Sequence, residues 1–415
     1  MEFLSDTKGT GGIIKKFYED FVVKEITSTG IVLNPGVHYK PEELNFKVDN
    51  ESQFTTFIIE KRNWDTIRAL LAVAKKFGRG KGAFAYCGTK DKFSVSVQLA
   101  SIHKIEPKRL EGLKLKDIQI NGAWKGGPVE LGNNIGNAFE VMVREGNSEY
   151  AKETLDKING FFPNYFDRQR FGYRLNNFDI GLHIIKGEFE EAVISFLTNT
   201  KNENDEECVE ARNRLKDDQD YEKAREYFPK HLRYEHMVIE YLSKDKNYAN
   251  ALRRIPRGIS IMFIHAVESA IFNVVLSERI KNKDLNDIKV KSKRNNFGFP
   301  DIESISDNGD GEFPVLPLIG YETEDKFIDE YQRDLLEKIE IDKNSFKISH
   351  MPELSMKGSF RTTLGYAKDI SLNKINEDFL VKFSLQSGSY ATIFINEITK
   401  TDILNMKDVS KKLNI

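Results

Sequence analysis

Residues 85–100 read "AYCGTKDKFSVSVQLA", and this stretch predicts the element around which the rest of the fold is arranged. A short apolar run at 83–87 is followed by Gly88. The apolar residues that come next recur at every second position: Val95, Val97 and Leu99. Such a pattern is typical of two strands joined by a turn. The stretch therefore predicts a strand, a turn and a strand, with the carboxylate of Asp91 at the turn.

The same turn lies in a strongly basic segment. Between residues 75 and 92 a single acidic residue, Asp91, stands among the cations Lys75, Lys76, Arg79, Lys81, Lys90 and Lys92. A dense positive strip suits the phosphates of a nucleic acid. Charged residues at turns are also commonly just solvated, and composition alone favours that interpretation of Asp91.

The whole chain has the size and composition of a multidomain globular protein. Its 415 residues are enough for two or three domains, and 62 Lys and Arg against 64 Asp and Glu leave a net charge of −2. Any nucleic-acid surface must therefore be a local patch. Cys87 and Cys208 are the two cysteines, without CxxC spacing, which favours a reducing compartment and the cytoplasm. The N-terminus lacks an apolar signal region and no stretch approaches about 18 uninterrupted apolar residues, so we expect no membrane association.

Alternating patterns mark the first part of the chain and helical patterns the middle. Residues 20–34 alternate as in a hairpin, and 63–77 form a helical pattern behind Asn63 as the expected N-cap. The apolar face expected for this helix is Trp64, Ile67, Leu71, Ala74 and Phe77. From about residue 160 helical patterns dominate, at 186–198, 206–227, 262–280 and, rich in acidic residues, 322–345.

Strand character returns near residue 379, followed by a turn at 386–389 and a helical pattern at 390–400. We therefore predict an α+β protein. Its catalytic body is built from both ends of the chain, residues 1–159 and 356–415, and a middle domain is inserted at 160–355.

Other motifs of familiar chemistry are missing or weak. The segment GRGKG at 78–82 is no Walker A loop and lacks GxGxxG spacing, which disfavours a nucleotide site and a methyltransferase cofactor site. His231 and His236 turn toward different sides of a helix and have no third ligand in the sequence, so we expect no metal. Cys87 has no histidine beside it and is interpreted as a small buried strand residue.

Blocks along the whole chain resemble those of one known family. They are GGIIKKFYEDFVVKE (11–25), GTKDKFSVSVQ (88–98), GNAFEVMVRE (136–145), FPNYFDRQRFG (162–172), FIHAVESAIFNVVLSERI (263–280), LPLIG (316–320) and GSYATIFINEITK (388–400). In sequence and order they resemble the TruD family of tRNA pseudouridine synthases. The resemblance is compatible with an archaeal/eukaryotic-like branch of this family.

The resemblance implies a fold and an activity. The fold is a pseudouridine synthase core, a mixed and largely antiparallel sheet flanked by helices, with an inserted α/β TRUD domain as the second arm of a V-shaped cleft. The activity is isomerisation of uridine in tRNA at position 13, in which the base is detached, turned and rejoined through C5 without a cofactor. The implied partner is tRNA, and a monomer is our default expectation. The alternative is a non-catalytic RNA-binding or RNA-chaperone protein on the same scaffold.

The resemblance also implies roles for individual residues. Asp91 is the expected nucleophile, which must be ionised and so needs cations nearby. Lys15 falls where the family places an active-site lysine, and it is a better partner for Asp91 than the flanking lysines, whose side chains point away in an extended backbone. Phe139 is expected to stack on the flipped uridine and Asn137 to hydrogen-bond it. The full substrate-binding set that we expect is Lys15, Lys90, Gln98, Asn137, Phe139 and Arg170.

Two blocks depart from the family pattern or allow two interpretations. The block at 162–172 interleaves aromatic rings with cations such as Arg170, which suits either RNA contact or bracing of the domain junction. In the C-terminal motif, Asn396 stands before Glu397 where the family commonly has arginine. An ion-pair or phosphate role of that arginine is therefore not carried over.

Overall fold

The computed structural model describes residues 1–285, 288–294, 300–305 and 311–401. The strands are β1 Ile13–Ile14, β2 Phe21–Ile26, β3 Phe54–Arg62, β4 Phe84–Tyr86, β5 Val95–His103, β6 Ile118–Lys125, β7 Gly136–Arg144, β8 Phe161–Pro163, β9 Lys289–Arg294, β10 Pro300–Ile305, β11 Gly311–Leu318, β12 Ser359–Thr362, β13 Leu364–Tyr366, β14 Lys368–Ile375 and β15 Asp378–Gln386. The helices are α1 Thr66–Lys75, α2 Pro107–Glu111, α3 Ser148–Ile158, α4 Asn177–Lys186, α5 Phe189–Thr198, α6 Glu206–Asp218, α7 Tyr221–Tyr227, α8 Arg233–Leu242, α9 Tyr248–Leu252, α10 Arg257–Asn282, α11 Glu330–Lys338 and α12 Ala391–Thr399. The predicted α+β class is confirmed.

Nine of the described strands form one large sheet. Its order is β14-β15-β7-β2-β5-β3-β6, with β1 beside β7 and β4 beside β5. β2 and β5 run parallel, with Val22 opposite Val95, and the other neighbouring strands of this sheet run antiparallel. The expectation of a mixed, largely antiparallel sheet is confirmed. β5 is buried along its length because apolar side chains cover both faces of the sheet there.

Strands from the two ends of the chain meet in this sheet. β15 pairs with β7, which places Phe383 opposite Phe139 and Leu385 opposite Asn137. The ring of Phe394, on α12, packs on Phe383 with 4.6 Å between ring centroids. This arrangement agrees with a body drawn from 1–159 and 356–415, although those limits stay a prediction.

The residues between β8 and β13 are mainly helical. α10 crosses the centre of this part, and α4 packs closely on it, because Gly181 lies so near the backbone of Phe263 that an added Cβ would be 2.1 Å from its carbonyl oxygen. A smaller sheet has the order β10-β9-β11-β12. β8 and β13 pair with each other, with Leu364 opposite Pro163, where the chain enters and leaves the middle part. The exact limits of an inserted domain remain a prediction.

Within the described ranges, α10 is long and apolar enough to cross a membrane by length and composition. However, 72% of its apolar window is buried inside the protein. Such burial is typical of the core helix of a large folded domain.

One apolar core connects the sheet with the middle helices. It includes Phe139 and Phe383 from the sheet, Phe162 from β8, Phe272 from α10 and Phe394 from α12. The segment that follows β8 is thereby held near the start of β5, where Asp91 lies.

The helix predicted at 63–77 is shorter and begins later. Asp65 is its N-cap, and the Asp65 carboxylate accepts the backbone N–H of Arg68, 3.0 Å away. Asn63, the cap that we predicted, instead has a left-handed backbone with φ 55°. The later start rotates the buried face, which consists of Thr66, Ala69, Leu70, Val73 and Ala74. The predicted cap and most of the predicted face were therefore wrong.

Two further patterns yield less regular structure than expected. The hairpin predicted at 20–34 is reduced to β2 and a single bridge between Ile26 and Val32, because β2 pairs with β7 and β5 instead. The acidic region at 322–345 contains one helix, α11, between short 3-10 turns.

Candidate active site

The loop between β4 and β5 presents Asp91 as the sequence predicted. β4 and β5 are antiparallel neighbours, with Tyr86 opposite Ala100, and Asp91 lies in the connection between them. The backbone carbonyl of Asp91 accepts hydrogen bonds from the hydroxyl of Ser94 at 2.7 Å and from Nζ of Lys61 at 3.0 Å. The predicted strand, turn and strand are confirmed, and the turn is tightly held.

Both carboxylate oxygens of Asp91 have hydrogen-bond donors. Nζ of Lys15 lies 2.6 Å from Oδ2, and Nε2 of Gln169 lies 2.5 Å from Oδ1. Burial acts to raise the pKa of Asp91, but the charge and hydrogen bond of Lys15 and the hydrogen bond of Gln169 outweigh it. The net effect lowers the pKa below its usual value, so Asp91 is an anion at neutral pH.

Lys15 reaches this carboxylate from a different strand. It follows β1 directly, and its backbone is left-handed with φ 56°. Its ammonium also lies over the ring of Phe21, 4.0 Å from the ring centroid. The expected pairing of Lys15 with Asp91 is therefore present in the structure.

A cavity of about 300 Å³ opens beside Asp91. Among its lining residues are Asn137 and Phe139 from β7, together with Asp167 and Gln169 from the segment after β8. Phe139 is stacked on Phe383, with 5.3 Å between ring centroids. The site therefore combines a carboxylate, an aromatic ring and amide groups from separate parts of the chain.

Two buried acceptor atoms at the cavity have no hydrogen-bond partner among the described residues: Oδ1 of Asn137 and Oδ1 of Asp167. Burial raises the pKa of Asp167, partly offset by hydrogen bonds from the Arg168 backbone and the Thr392 side chain. Buried acceptors without a donor are costly, and a bound ligand that offers N–H or O–H groups would satisfy them.

Lys90 and Gln98 link the Asp91 loop to neighbouring elements through buried polar contacts. Nζ of Lys90 is paired with Glu25 at 2.7 Å, and both side chains are almost fully buried. The side-chain oxygen of Gln98 lies 3.0 Å from the hydroxyl of Thr66, and its Nε2 donates to the carbonyl of Gly88 at 3.0 Å. Lys90 contributes to the cavity wall, whereas Gln98 does not line the cavity. The expected direct substrate contact of Gln98 conflicts with this position, because its polar groups are used inside the protein.

The block at 162–172 mainly braces the junction in this structure. The guanidinium of Arg170 lies over the ring of Phe166, 5.1 Å from its centroid, and Arg361 lies over the same ring at 4.1 Å. Arg361 also donates to the carbonyl and side-chain oxygens of Asn164 at 2.8 and 2.7 Å. Arg170 is not among the cavity-lining residues, but buried Nε of Arg170 has no partner within the described part of the chain.

Glu397 fastens the N-terminal segment to α12. Its carboxylate accepts the backbone N–H groups of Leu4 and Ser5, each at 2.9 Å, and pairs with Lys400 at 2.5 Å. Lys400 thus supplies a cation next to Glu397, where Asn396 replaces the arginine common in the family.

His231 and His236 have different partners in the structure, in line with the expectation that they point to different sides. His236 bonds through Nε2 to the carbonyl of Phe228 at 2.9 Å. His231 instead lies with Asp205 and Cys208, whose ligand atoms are all within 4.8 Å of one another. Asp205 already caps α6, and burial raises the pKa of Cys208 to about 11. We assign no metal function to this group, which lies in the middle helices away from Asp91.

Cys87 fits its predicted structural role. It is buried, and burial raises its pKa to about 12, so it is a neutral thiol at physiological pH. A protonated buried thiol is a poor nucleophile.

Three residues near Asp91 were missed by the sequence prediction: Lys61, Asp167 and Gln169. Gln169 and Asp167 lie within the quoted block at 162–172, where aromatic residues and arginines drew attention instead. Lys61 follows six buried residues of β3, and this position in an apolar strand was the available signal that its ammonium is buried.

Comparison with known proteins gives a consistent result. The family model for tRNA pseudouridine synthase D (TruD) matches residues 1–398. The relative named "Probable tRNA pseudouridine synthase D" from Pyrococcus abyssi is 32% identical over 425 residues, covering 96% of this chain and 99% of the relative. The relative of the same name from Nanoarchaeum equitans is 33% identical over 398 residues, covering 93% and 98%.

A solved structure from Methanosarcina mazei that bears the TruD name has the same fold. Its TM-score is 0.74 at 28% identity, and the match covers 97% of each chain. With the family match over almost the whole length, the chain belongs to the tRNA pseudouridine synthase D (TruD) family, whose members are isomerases that act on tRNA.

Proposed function

We propose that this chain converts the uridine at position 13 of tRNA to pseudouridine, with Asp91 as the nucleophile. The observation that carries the proposal is the ionised carboxylate of Asp91 at a cavity that also contains Phe139 and Asn137. At about 300 Å³ the cavity is at the small end of ligand pockets, which suits a single flipped nucleotide better than a duplex.

The reaction requires one base to be detached and rejoined. Asp91 attacks the sugar or the base of the bound uridine, and the bond between N1 and C1′ breaks. The base turns and a bond forms between C5 and C1′, while the bond to Asp91 breaks and its carboxylate is restored. The C5 proton then leaves and N1 takes up a proton. Lys15 and Gln169 keep Asp91 ionised before substrate enters. No redox cofactor is needed, because the product is an isomer of the substrate.

The cavity supports recognition of uracil. Phe139 is backed by Phe383 and touched edge-on by Phe21, which makes it a rigid platform for a base. The unpartnered Oδ1 of Asn137 can accept the N3–H of uracil, a donor that cytosine lacks. Both features act on a base that has left its stack.

The surface beside the loop supports binding of a folded RNA. The basic strip predicted from the sequence is exposed on both sides of the turn at Lys75, Lys76, Arg79, Lys81 and Lys92. Such cations bind phosphates and position RNA without reading its sequence. The net charge of −2 is compatible with this, because the cations are local.

Mapping of pseudouridine in tRNA treated with purified protein tests this function. We expect the wild type to modify a tRNA transcript at uridine 13 and to leave a transcript with cytidine at that position unmodified. Asp91→Asn should bind the transcript with unchanged affinity but form no pseudouridine. Asp334→Asn, an exposed position on α11, should behave as the wild type.

Pseudouridine formation by Asp91→Asn would overturn the assignment of the nucleophile. A wild type that binds tRNA and forms no pseudouridine would favour the non-catalytic RNA-binding alternative. Modification at another uridine would leave the reaction in place and refute position 13.

A further inference from the structure

Lys61 is a fully buried lysine next to the nucleophile. Its relative exposure is 0%, and its ammonium is not ion-paired with any carboxylate of the described residues. Nζ donates to two backbone carbonyls, that of Trp64 at 2.7 Å and that of Asp91 at 3.0 Å. Burial of an ammonium without a counter-ion costs free energy, so its presence here needs a compensating reason.

Lys90, in the loop itself, is also a buried lysine but differs from Lys61 in having a counter-ion. Its buried ammonium is neutralised by Glu25, at 2.7 Å. Within the described part of the chain, the hydrogen-bond partners of the Lys61 ammonium are two neutral carbonyls. The charge of Lys61 is therefore not held in a direct ion pair, and it acts on the carboxylates of both Asp65 and Asp91.

The two carbonyls bound by Lys61 belong to the elements that position Asp91. One is that of Asp91 itself, which also accepts the hydroxyl of Ser94 at 2.7 Å. The other is that of Trp64, directly before Asp65, the N-cap of α1. Lys61 thus connects β3 with the loop and with the start of α1, and it hydrogen-bonds the main chain of the nucleophile, whereas Lys15 and Gln169 hydrogen-bond its carboxylate.

A substrate can compete with Lys15 and Gln169 for the carboxylate of Asp91, whereas Lys61 does not bond to that carboxylate. Lys15 and Gln169 each donate to one oxygen of Asp91, so a substrate atom that forms a bond to either oxygen competes with that donor for it. Lys61 touches neither oxygen, and its charge nevertheless acts to lower the pKa of Asp91. Lys61 is not among the residues that line the cavity, so a substrate there does not compete directly with it.

We propose that Lys61 is a positioning residue of the isomerisation: its buried ammonium fixes the main chain of Asp91 and supplies the positive charge that remains when substrate displaces Lys15 or Gln169. This inference rests on the proposed function. Lys61 acts through Asp91 and has no contact with the cavity.

The charge of Lys61 depends on pH in a defined way. Burial lowers the pKa of Lys61 to about 8. The charged groups that face it are Asp65 and Asp91, which act to raise this pKa, and Lys90, which acts to lower it. As pH rises through about 8 the ammonium loses its proton, and the rate of the chemical step should fall.

Lys61→Met is the first test, since methionine fills a buried site without a charge. In single-turnover assays we expect a loss of about 10²-fold in rate, as for a small misplacement of a reacting group. The acid limb of the pH profile should move to higher pH, while the dissociation constant for tRNA stays unchanged. A folded variant whose rate is within about twofold of the wild type and whose acid limb has not moved would overturn the proposal.

Lys61→Arg and the wild type provide a second test. Arginine keeps its charge throughout the accessible range, so the alkaline limb should disappear from the profile of this variant. The wild type should show that limb with a midpoint near pH 8. The proposal would be overturned if the wild-type profile lacked the alkaline limb, or if Lys61→Arg kept that limb at the same pH. Either result would count even if Lys61→Met fails to fold.

Lys400→Met is the matched control. Lys400 is also largely buried, but it is paired with Glu397 far from Asp91 in the chain and outside the cavity lining. Its loss should lower thermal stability and leave both limbs of the pH profile in place.

If the wild type forms no pseudouridine, the proposed function fails. An active wild type with an unaffected Lys61→Met contradicts only the role of Lys61.

Discussion

The two sides of the Asp91 loop are built in different ways. On the cavity side, Lys15 and Gln169 come from distant parts of the chain and approach a carboxylate that is 21% exposed. On the buried side, the side chains of Lys61, Lys90 and Gln98 are hidden and bonded to groups of the protein. The buried side is a fixed frame, whereas the cavity side can exchange its hydrogen bonds with a substrate.

This difference predicts separate consequences for mutation. Changes on the buried side should reduce stability first, because they leave polar groups without partners. Changes on the cavity side should reduce the reaction rate while the protein remains folded. The exception proposed above is Lys61. It lies on the buried side, but its charge acts on Asp91, so its loss should reduce the reaction rate.

Glu25→Gln should have the largest effect on stability. It leaves the buried ammonium of Lys90 without its counter-ion and weakens the acceptor for the Leu99 N–H, at 2.9 Å. We expect the free energy of unfolding in denaturant to fall by about 3–5 kcal/mol. The control is Glu145→Gln, which breaks an exposed pair with Lys16 and should cost less than about 1 kcal/mol. Equal losses in the two variants would contradict a rigid buried frame.

Lys15→Met should have the largest effect on rate among changes to the cavity side. It removes the cation at Oδ2 of Asp91, and we expect a loss of about 10²-fold in the single-turnover rate. Stability should change by less than about 1 kcal/mol, because the pair is partly exposed. Lys16→Met is the neighbouring control and should retain the wild-type rate. A variant that loses stability but not rate would assign Lys15 to the frame instead.

Gln169→Ala should have a smaller effect of about tenfold on the rate, since one hydrogen bond to Oδ1 is lost and the cation remains. That hydrogen bond lowers the pKa of Asp91, so its removal raises the pKa and moves the acid limb of the rate profile to higher pH. Arg168→Ala, at the exposed preceding residue, should leave the limb in place. An acid limb that moves equally in both variants would refute a direct role of Gln169.

The sequence predicted the buried strand and turn better than the contacts across the cavity. Alternation at Val95 and Val97 is a local signal, and the structure confirms the strand and the turn at Asp91. The contact between Lys15 and Asp91 spans 76 residues and that of Gln169 spans 78, so local periodicity carries no information about either. The resemblance supplied Lys15, and Gln169 was missed.

Burial of charge was the hardest feature to predict. Lys90 and Gln98 were expected to contact substrate because they lie in the block at 88–98 that resembles the family. The structure places Gln98 at 0% exposure and pairs Lys90 with Glu25, which lies on a strand paired in parallel with β5. Only the sheet order brings these groups together, and sheet order was not available from local patterns.

The most direct test of the account is the pH dependence of the wild-type rate under single-turnover conditions. Asp91 is held ionised by its two cavity-side donors, so its pKa lies below the ordinary value of about 3.9. The rate of pseudouridine formation should therefore be constant between about pH 5 and about pH 7. A rate that falls about tenfold across that interval as the pH is lowered would show that the nucleophile is protonated there, and would contradict the account.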